Sequence, residues 1–528
     1  MNESETAAAG GREKEWIPSV NPWLITAAVM LPTFMEVLDT TIAAVALPHI
    51  AGSLSASTDQ ASWVLTSYLV ANAIILPASG WLAGYFGRKR FLIACIVIFT
   101  VASFLSGAAL SLGMLVVARV LQGAGGGALQ PLSQAILLES FPPEKRGMAM
   151  AAFGLGVVVA PIAGPTLGGW LTDNYSWRWA FYINIPVGLL AVLMIQTFVE
   201  DPPYIRRGRP GSIDRIGFGL MALSLGTLQI ILDKGQQDDW FSASWIRWFA
   251  ILSALSLVLF IFRELMTKDP IVNLRVFRDR NFAAGTLLIT MVGVVLYSAI
   301  TLIPLFLQTL MGYTALQSGI AVATRGLGAL MTMPVVGYLT GVVDFRKLIA
   351  CGFTLVAASL WIIGGLNLEI TMWDIAWPSI VTGVGLAMVF VPLSAVAMGN
   401  LPQSEMGNAS GVFNLMRNVG GSAGISLLET FVARQSQAHQ ATLVAHLTPE
   451  NPIYRERLAE MQQYLAVHAN PSEAHRMALG LMYETLKHQA KTLAFVGAFR
   501  TLAIIALVCI ALTVLLKRVK RGPPPGGH

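Results

Sequence analysis

Glu36 and Asp39 sit three residues apart in FMEVLDTTIAAVALP (34–48), inside an apolar run that begins near Trp23. At helical spacing, positions i and i+3 share one face. A carboxylate removed from water is costly unless it is protonated, paired or turned to a polar cavity. An ionisable residue in such a run is therefore a functional candidate by default. The chemistry open to the two acids is reversible proton binding, ion pairing and attraction of a cationic ligand. Few deep cations are available to them: Arg119 in LVVARVLQGAGGG (115–127), and Arg325 and Arg417 in later apolar runs. Asn414 and Asn418 flank Arg417 and suit either a polar cavity lining or hydrogen bonds between helices. No residue set suits covalent catalysis or nucleotide hydrolysis. GxSxG, HExxH and the GK[ST] of a phosphate loop are all absent. No cofactor, metal or ATP site is expected, so an ion gradient must supply any energy.

The elements that carry these residues follow from composition. Of 528 residues, 55% are hydrophobic and only 12% charged, about half the charged share of a soluble domain, roughly 25%. The chain reads as an all-α polytopic membrane protein. Fourteen apolar segments approach the roughly 20 residues that a bilayer core requires. They run over 23–46, 62–82, 91–111, 112–138, 148–171, 180–199, 216–233, 244–263, 282–304, 315–339, 348–367, 374–398, 408–433 and 492–516. Lys and Arg gather in alternate connections, among them Arg88 to Arg90, Lys145, Arg146, Arg206, Arg207, Arg209, Lys268, Arg346, Lys347 and Lys517. The short connections between these hold only Arg178 and Lys234. That asymmetry places both termini in the cytoplasm. It also accounts for the net charge of +6 without a nucleic-acid partner. On the same segment ends, Asp39 and Arg119 lie at one depth, about 10 Å from the outer end, so an ion pair between them is allowed. Glu36 lies a turn deeper, with no cation of matching depth.

GWLAGYFGRKR (80–90) and GYLTGVVDFRK (337–347) repeat at an offset of 257 residues, which suggests two six-helix halves with two inserted helices. In the first copy, Gly80, Gly84 and Gly87 suit close approach and tight turning, while Arg88, Lys89 and Arg90 suit lipid headgroups or helix C-terminal carbonyls. In GVVVAPIAGPTLGG (156–169), Gly156, Gly168 and Gly169 form a flat face, and Gly164-Pro165 removes a helical hydrogen bond and bends the helix. Gly123 and Gly127 form a GxxxG packing face.

These motifs, with LDTTIAAVALP, WRWAFYINIPVG (177–188) and LDKGQQDDWF (232–241), resemble those of the major facilitator superfamily. They resemble most its 14-spanner drug:proton antiporters and the EmrB-like multidrug efflux permeases. The resemblance implies the major facilitator fold, export driven by protons, and a bacterial inner-membrane location. It also implies a periplasmic adaptor and an outer-membrane channel as partners. It places the 156–169 helix between the two halves. One departure stands out: the family motif usually has Asp where this chain has Gly84, so the resemblance does not extend to the latch built on that Asp.

The expected organisation is a cytoplasmic tail (1–22), a six-helix half (23–200), a linker with two inserted helices (201–270), a second half (271–516) and a tail (517–528). Within the second half, 434–491 holds five of the seven histidines and three amphipathic helical runs, and forms a long periplasmic loop. Its histidines lack metal-ligand spacing. Proton coupling is assigned to Asp39, with Arg119 and Glu36. Protonation of Asp39 from outside would loosen its hold on Arg119 and favour the inward-open state. A substrate cavity for drug-like molecules is assigned to Glu36, Trp63, Tyr68, Tyr297, Gln308, Arg325, Asn414 and Arg417. The alternatives are an exporter of one metabolite, siderophore or antibiotic, and a membrane receptor or scaffold that does not transport.

Overall fold

The computed structural model describes residues 18–142, 145–203, 214–267, 269–467 and 470–517. Most of both tails lies outside these residues, as do Arg206, Arg207, Arg209, Lys268 and His468. Nine helices precede the central pair: α1 (Pro22–Ser53), α2 (Thr58–Ala61), α3 (Trp63–Phe86), α4 (Arg88–Gly107), α5 (Leu112–Gly126), α6 (Leu129–Ser140), α7 (Arg146–Asn174), α8 (Trp179–Tyr182) and α9 (Asn184–Phe198). The pair itself is α10 (Arg215–Lys234) and α11 (Ser244–Met266). Then follow α12 (Arg280–Leu310), α13 (Ala315–Leu339), α14 (Phe345–Ile363), α15 (Met372–Met398), α16 (Met406–Val444), α17 (Pro452–Leu465) and α18 (Pro471–Leu512).

Long helices are the required form here, because lipid satisfies no backbone N–H or C=O. Local signals set their ends. Asn21 accepts a hydrogen bond from the Trp23 amide, and Pro22 occupies the first turn of α1. Ser19 donates to Glu200 through its amide (3.1 Å) and its hydroxyl, which holds that carboxyl below its usual range. Gly87 joins α3 to α4 at φ +89°, a turn that a side chain would strain.

Twelve stretches among the described residues are long and apolar enough to cross a membrane. The expected segments 148–171 and 408–433 lie in α7 and α16, which are not among the twelve: α16 is rich in Gly and polar residues, whereas α7 is 29 residues long and mostly apolar, with some of its side chains outside the described residues. The expected segment 112–138 lies in one apolar stretch, Leu112–Ser140, with a turn at Gly127 and Ala128 between α5 and α6. A side chain at Gly127 would meet the Asn72 carbonyl at 2.6 Å, so the glycine-rich stretch serves close approach to α3. The 434–491 region is helical, but its first run continues α16 and its third begins α18. At 1.5 Å per residue, α18 is about 63 Å long, roughly twice the hydrocarbon thickness. Gln440 donates to the Tyr483 hydroxyl (3.2 Å) and ties the two extensions together.

The packing is inside-out relative to a soluble protein. α11 turns Trp248, Val258 and Phe262 outward, whereas every residue of α6 is buried, including Gln130, Gln134 and Glu139. The N-terminal helices meet the C-terminal ones along α7–α13, α3–α16 and α6–α16. The inserted α10 packs on α3 and α16. Its following loop is pinned to α16, since the Trp240 indole donates to Thr430 (2.8 Å).

Candidate functional site

Asp39 is fully buried on α1, and three donors converge on its carboxylate. Arg119 Nη1 from α5 donates to Oδ2 at 2.5 Å. Gln122 Nε2 (2.8 Å) and Asn184 Nδ2 (2.7 Å) both donate to Oδ1. Each donor is itself fixed. Arg119 Nη1 also reaches Gln122 Oε1 at 2.7 Å, and its Nε reaches the Val64 carbonyl at 3.1 Å. Asn184 donates to Ser103 Oγ at 2.9 Å. The carboxylate's two oxygens are both taken up, while Arg119 Nη2 has no hydrogen-bond partner among the described residues. A protonated carboxyl becomes a donor at one oxygen, and Arg119, Gln122 and Asn184 then compete for fewer acceptor sites. Through these bonds the Asp39 carboxylate ties α1 to α5 and α9, and Ser103 of α4 joins the same network.

Glu36, one turn away, has a separate set of partners. The Tyr68 hydroxyl and Asn72 Nδ2 donate to Oε1, each at 3.1 Å, and Gln130 Nε2 donates to Oε2. Gln130 Oε1 in turn accepts from Arg417 Nη2 on α16. Asn414 Nδ2 donates to Gln134 Oε1 at 2.5 Å. A polar chain thus runs from α1 through α6 to α16, across the seam between the two sets of helices. Glu36 does have a deep cation, Arg417, reached through an amide. Tyr68 belongs to both acids: its hydroxyl serves Glu36, and its ring lies 4.2 Å from the Arg119 guanidinium, a cation–π contact.

The structure brings together Asp39, Arg119, Glu36, Tyr68, Asn414 and Arg417. The other cavity candidates lie apart. Trp63 starts α3 and is 40% exposed, with its ring 5.6 Å from Lys234 Nζ. Gln308 is exposed near the end of α12. Neither joins the buried cluster, because each sits at a helix end rather than at mid-depth. Tyr297 packs on Gly421, one turn along α16 from Arg417. Arg325 is buried on α13, and its guanidinium has no hydrogen bond among the described residues.

At the end rich in basic residues, Arg88 is buried and ion-paired with Glu139, so it does not reach for headgroups. Lys89 donates from Nζ to the Gln196 carbonyl near the C-terminus of α9 (2.7 Å) and from its amide to Asp201 (2.7 Å). Arg90 is exposed. A side chain on Gly80 would lie 2.5 Å from the Asn408 amide nitrogen of α16, whereas one on Gly84 would meet open space. Side chains on Gly156, Gly164 and Gly168 would meet Met30, Thr41 and Ile42, so α7 is seated on the α1 turn that holds Asp39; Gly169 faces open space. The Pro165 side chain lies outside the described residues. Toward its start, α7 meets the second half, with Gly147 against Thr340 and Gly154 against Met333.

Sequence reasoning missed Gln122, Gln130, Gln134, Asn184, Ser103 and Glu139. Gln122 follows Arg119 by three residues, and Gln130 and Gln134 are four apart. That spacing of polar side chains in an apolar run is the signal that marks them.

The family model described as Major Facilitator Superfamily matches residues 29–425. The multidrug export protein EmrB of Haemophilus influenzae is 39% identical over 84% of this chain and 86% of its own length. The fatty acid resistance protein FarB of Neisseria gonorrhoeae is 35% identical over 96% of this chain and 97% of its own. The crystal structure of the human organic anion transporter MFSD10 superposes with a TM-score of 0.61 at 14% identity, covering 93% of this chain and 99% of that one, a likeness of fold. With an all-helical fold, a family match across most of its length and these relatives, the chain belongs to the Major Facilitator Superfamily.

Proposed function

We propose that this protein is a proton-driven multidrug exporter of a bacterial inner membrane. It crosses the membrane fourteen times, has both termini in the cytoplasm, and delivers hydrophobic or cationic toxic compounds to a periplasmic adaptor and an outer-membrane channel. The observation that carries this reading is the convergence of a shell of three donors, Arg119, Gln122 and Asn184, on the buried Asp39 carboxylate, an arrangement that suits its ionised form. A proton arriving from the outside neutralises Asp39, frees Arg119 and relaxes the packing of α1 on α5 and α9. Release of the proton to the cytoplasm restores the shell. Glu36 offers negative charge to cationic cargo and, through Gln130 and Arg417, communicates occupancy to the second half. The names of the EmrB and FarB relatives support export of toxic amphiphiles as the class of work.

Everted membrane vesicles test the reading. Ethidium should leave the medium when respiration energises the membrane, and an uncoupler should abolish that movement. Uphill movement that survives the uncoupler would overturn proton coupling. Absence of movement for a panel of dyes and drugs would overturn multidrug export.

A further inference from the structure

A cavity of about 200 Å³ lies between α3, α10 and α16, at the end of the molecule remote from Arg88 to Arg90. None of the residues of the Asp39 and Glu36 networks lines it. Leu65, Leu69 and Ile425 give it apolar walls, and Asp233 and Glu429 give it two carboxylates. Asp233 accepts a hydrogen bond from Thr66. Lys234, itself buried, donates to Ser62 and to Gln237 Oε1 (3.0 Å) on the rim. Asp233 and Glu429 thus outnumber the single ammonium beside the cavity. Ser426, only 3% exposed, is among the residues that line the cavity, and its hydroxyl has no hydrogen-bond partner among the described residues. A buried hydroxyl without a partner is costly.

We propose that this cavity is a second binding site, and that it takes a compact organic ammonium. The ligand's apolar body lies on Leu65, Leu69 and Ile425. Its charged head sits between Asp233 and Glu429 and donates to Ser426. Sites for drug-sized molecules span roughly 300–1,000 Å³, so this one holds a single ring with its ammonium, or only the head of a larger cation. Because α3, α16 and the inserted α10 each supply a wall, the occupant touches both halves and the insert. That gives the inserted helices a role in recognition. As a station for exported cargo the site rests on the export reading; as a binding site it stands alone.

The test is calorimetric titration of the full-length protein in lipid nanodiscs, without any gradient. All samples carry Glu36→Gln, so that the mid-membrane acid does not contribute. The probes are phenethylammonium and its neutral counterpart 2-phenylethanol. The ammonium should bind at least about tenfold tighter than the alcohol, equivalent to about 1.4 kcal/mol. Glu429→Gln should remove that preference, and Ser426→Leu, which fills the cavity without changing a charge, should weaken both probes. Equal binding of the two probes before these substitutions would overturn the proposal. So would ammonium binding that survives both Glu429→Gln and Ser426→Leu. If Glu429→Gln does not fold, Ser426→Leu decides alone. Export is measured separately with Glu36 intact: lost binding with intact pH-driven export overturns this site only, whereas intact binding with no export overturns the export reading only.

Discussion

At the scale of residues, the two acids of the first helix have become two different devices. Asp39 is held by one cation and two amides, Glu36 by a phenol and two amides. Removing one member of a buried ion pair strands the other, at a cost of about 3–5 kcal/mol. Arg119→Ala should therefore lower the thermal unfolding temperature in detergent markedly. The double variant Asp39→Asn/Arg119→Gln should recover most of the loss, because no charge is left unpaired. Tyr68 separates the two functions. Tyr68→Phe keeps the ring under Arg119 and removes one hydrogen bond to Glu36, worth about 1–3 kcal/mol for a charged acceptor. It should raise the KM for a cationic dye several-fold while leaving pH-driven export of a neutral substrate near wild type. Tyr68→Ala should impair both. The charged members of this site were legible in the sequence because a charge in an apolar run is conspicuous. Their neutral partners were not, since Gln122, Gln130 and Asn184 look the same whether they join helices or hold a carboxylate.

At the scale of elements, glycines set how closely the helices carrying these residues approach. A side chain at Gly126 would lie 2.6 Å from the Tyr68 hydroxyl, and one at Gly123 2.3 Å from the Tyr68 carbonyl. The run QGAGGG is thus the slot in which Tyr68 is seated between the two acids. Overpacking of this kind costs about 1–3 kcal/mol, so Gly126→Val should lower stability and export together. The first basic motif offers an internal contrast. Gly80→Val drives a side chain into the α16 backbone and should abolish export. Gly84→Val points into open space and should leave unfolding within about 0.5 kcal/mol of wild type. Parallel growth assays under drug and thermal unfolding of the two variants would check this. Helix positions were legible from apolar length alone. The turn between α5 and α6 was not, because the glycines that mark it read equally well as a packing face.

At the scale of the whole molecule, polar side chains point inward and apolar ones outward, and the Glu36–Gln130–Arg417 chain crosses the seam between the halves. The continuation of α16 and α18 past the bilayer thickness, capped by α17, gives the molecule a helical projection. On the proposed function this projection is the adaptor's docking surface. Replacing α17 with a short Gly-Ser linker should abolish co-purification with the adaptor yet leave ethidium export in vesicles unchanged. The repeat and the basic connections made the two halves legible from sequence, but their contacts were not, because a seam between distant helices leaves no periodic trace. The central claim is that Asp39 couples protons to movement rather than binding cargo, and proteoliposomes bearing Asp39→Asn test it most directly. The account predicts that substrate exchange at equal pH continues within about twofold of wild type, while accumulation driven by an imposed pH gradient falls to background. Full gradient-driven accumulation by Asp39→Asn would contradict it.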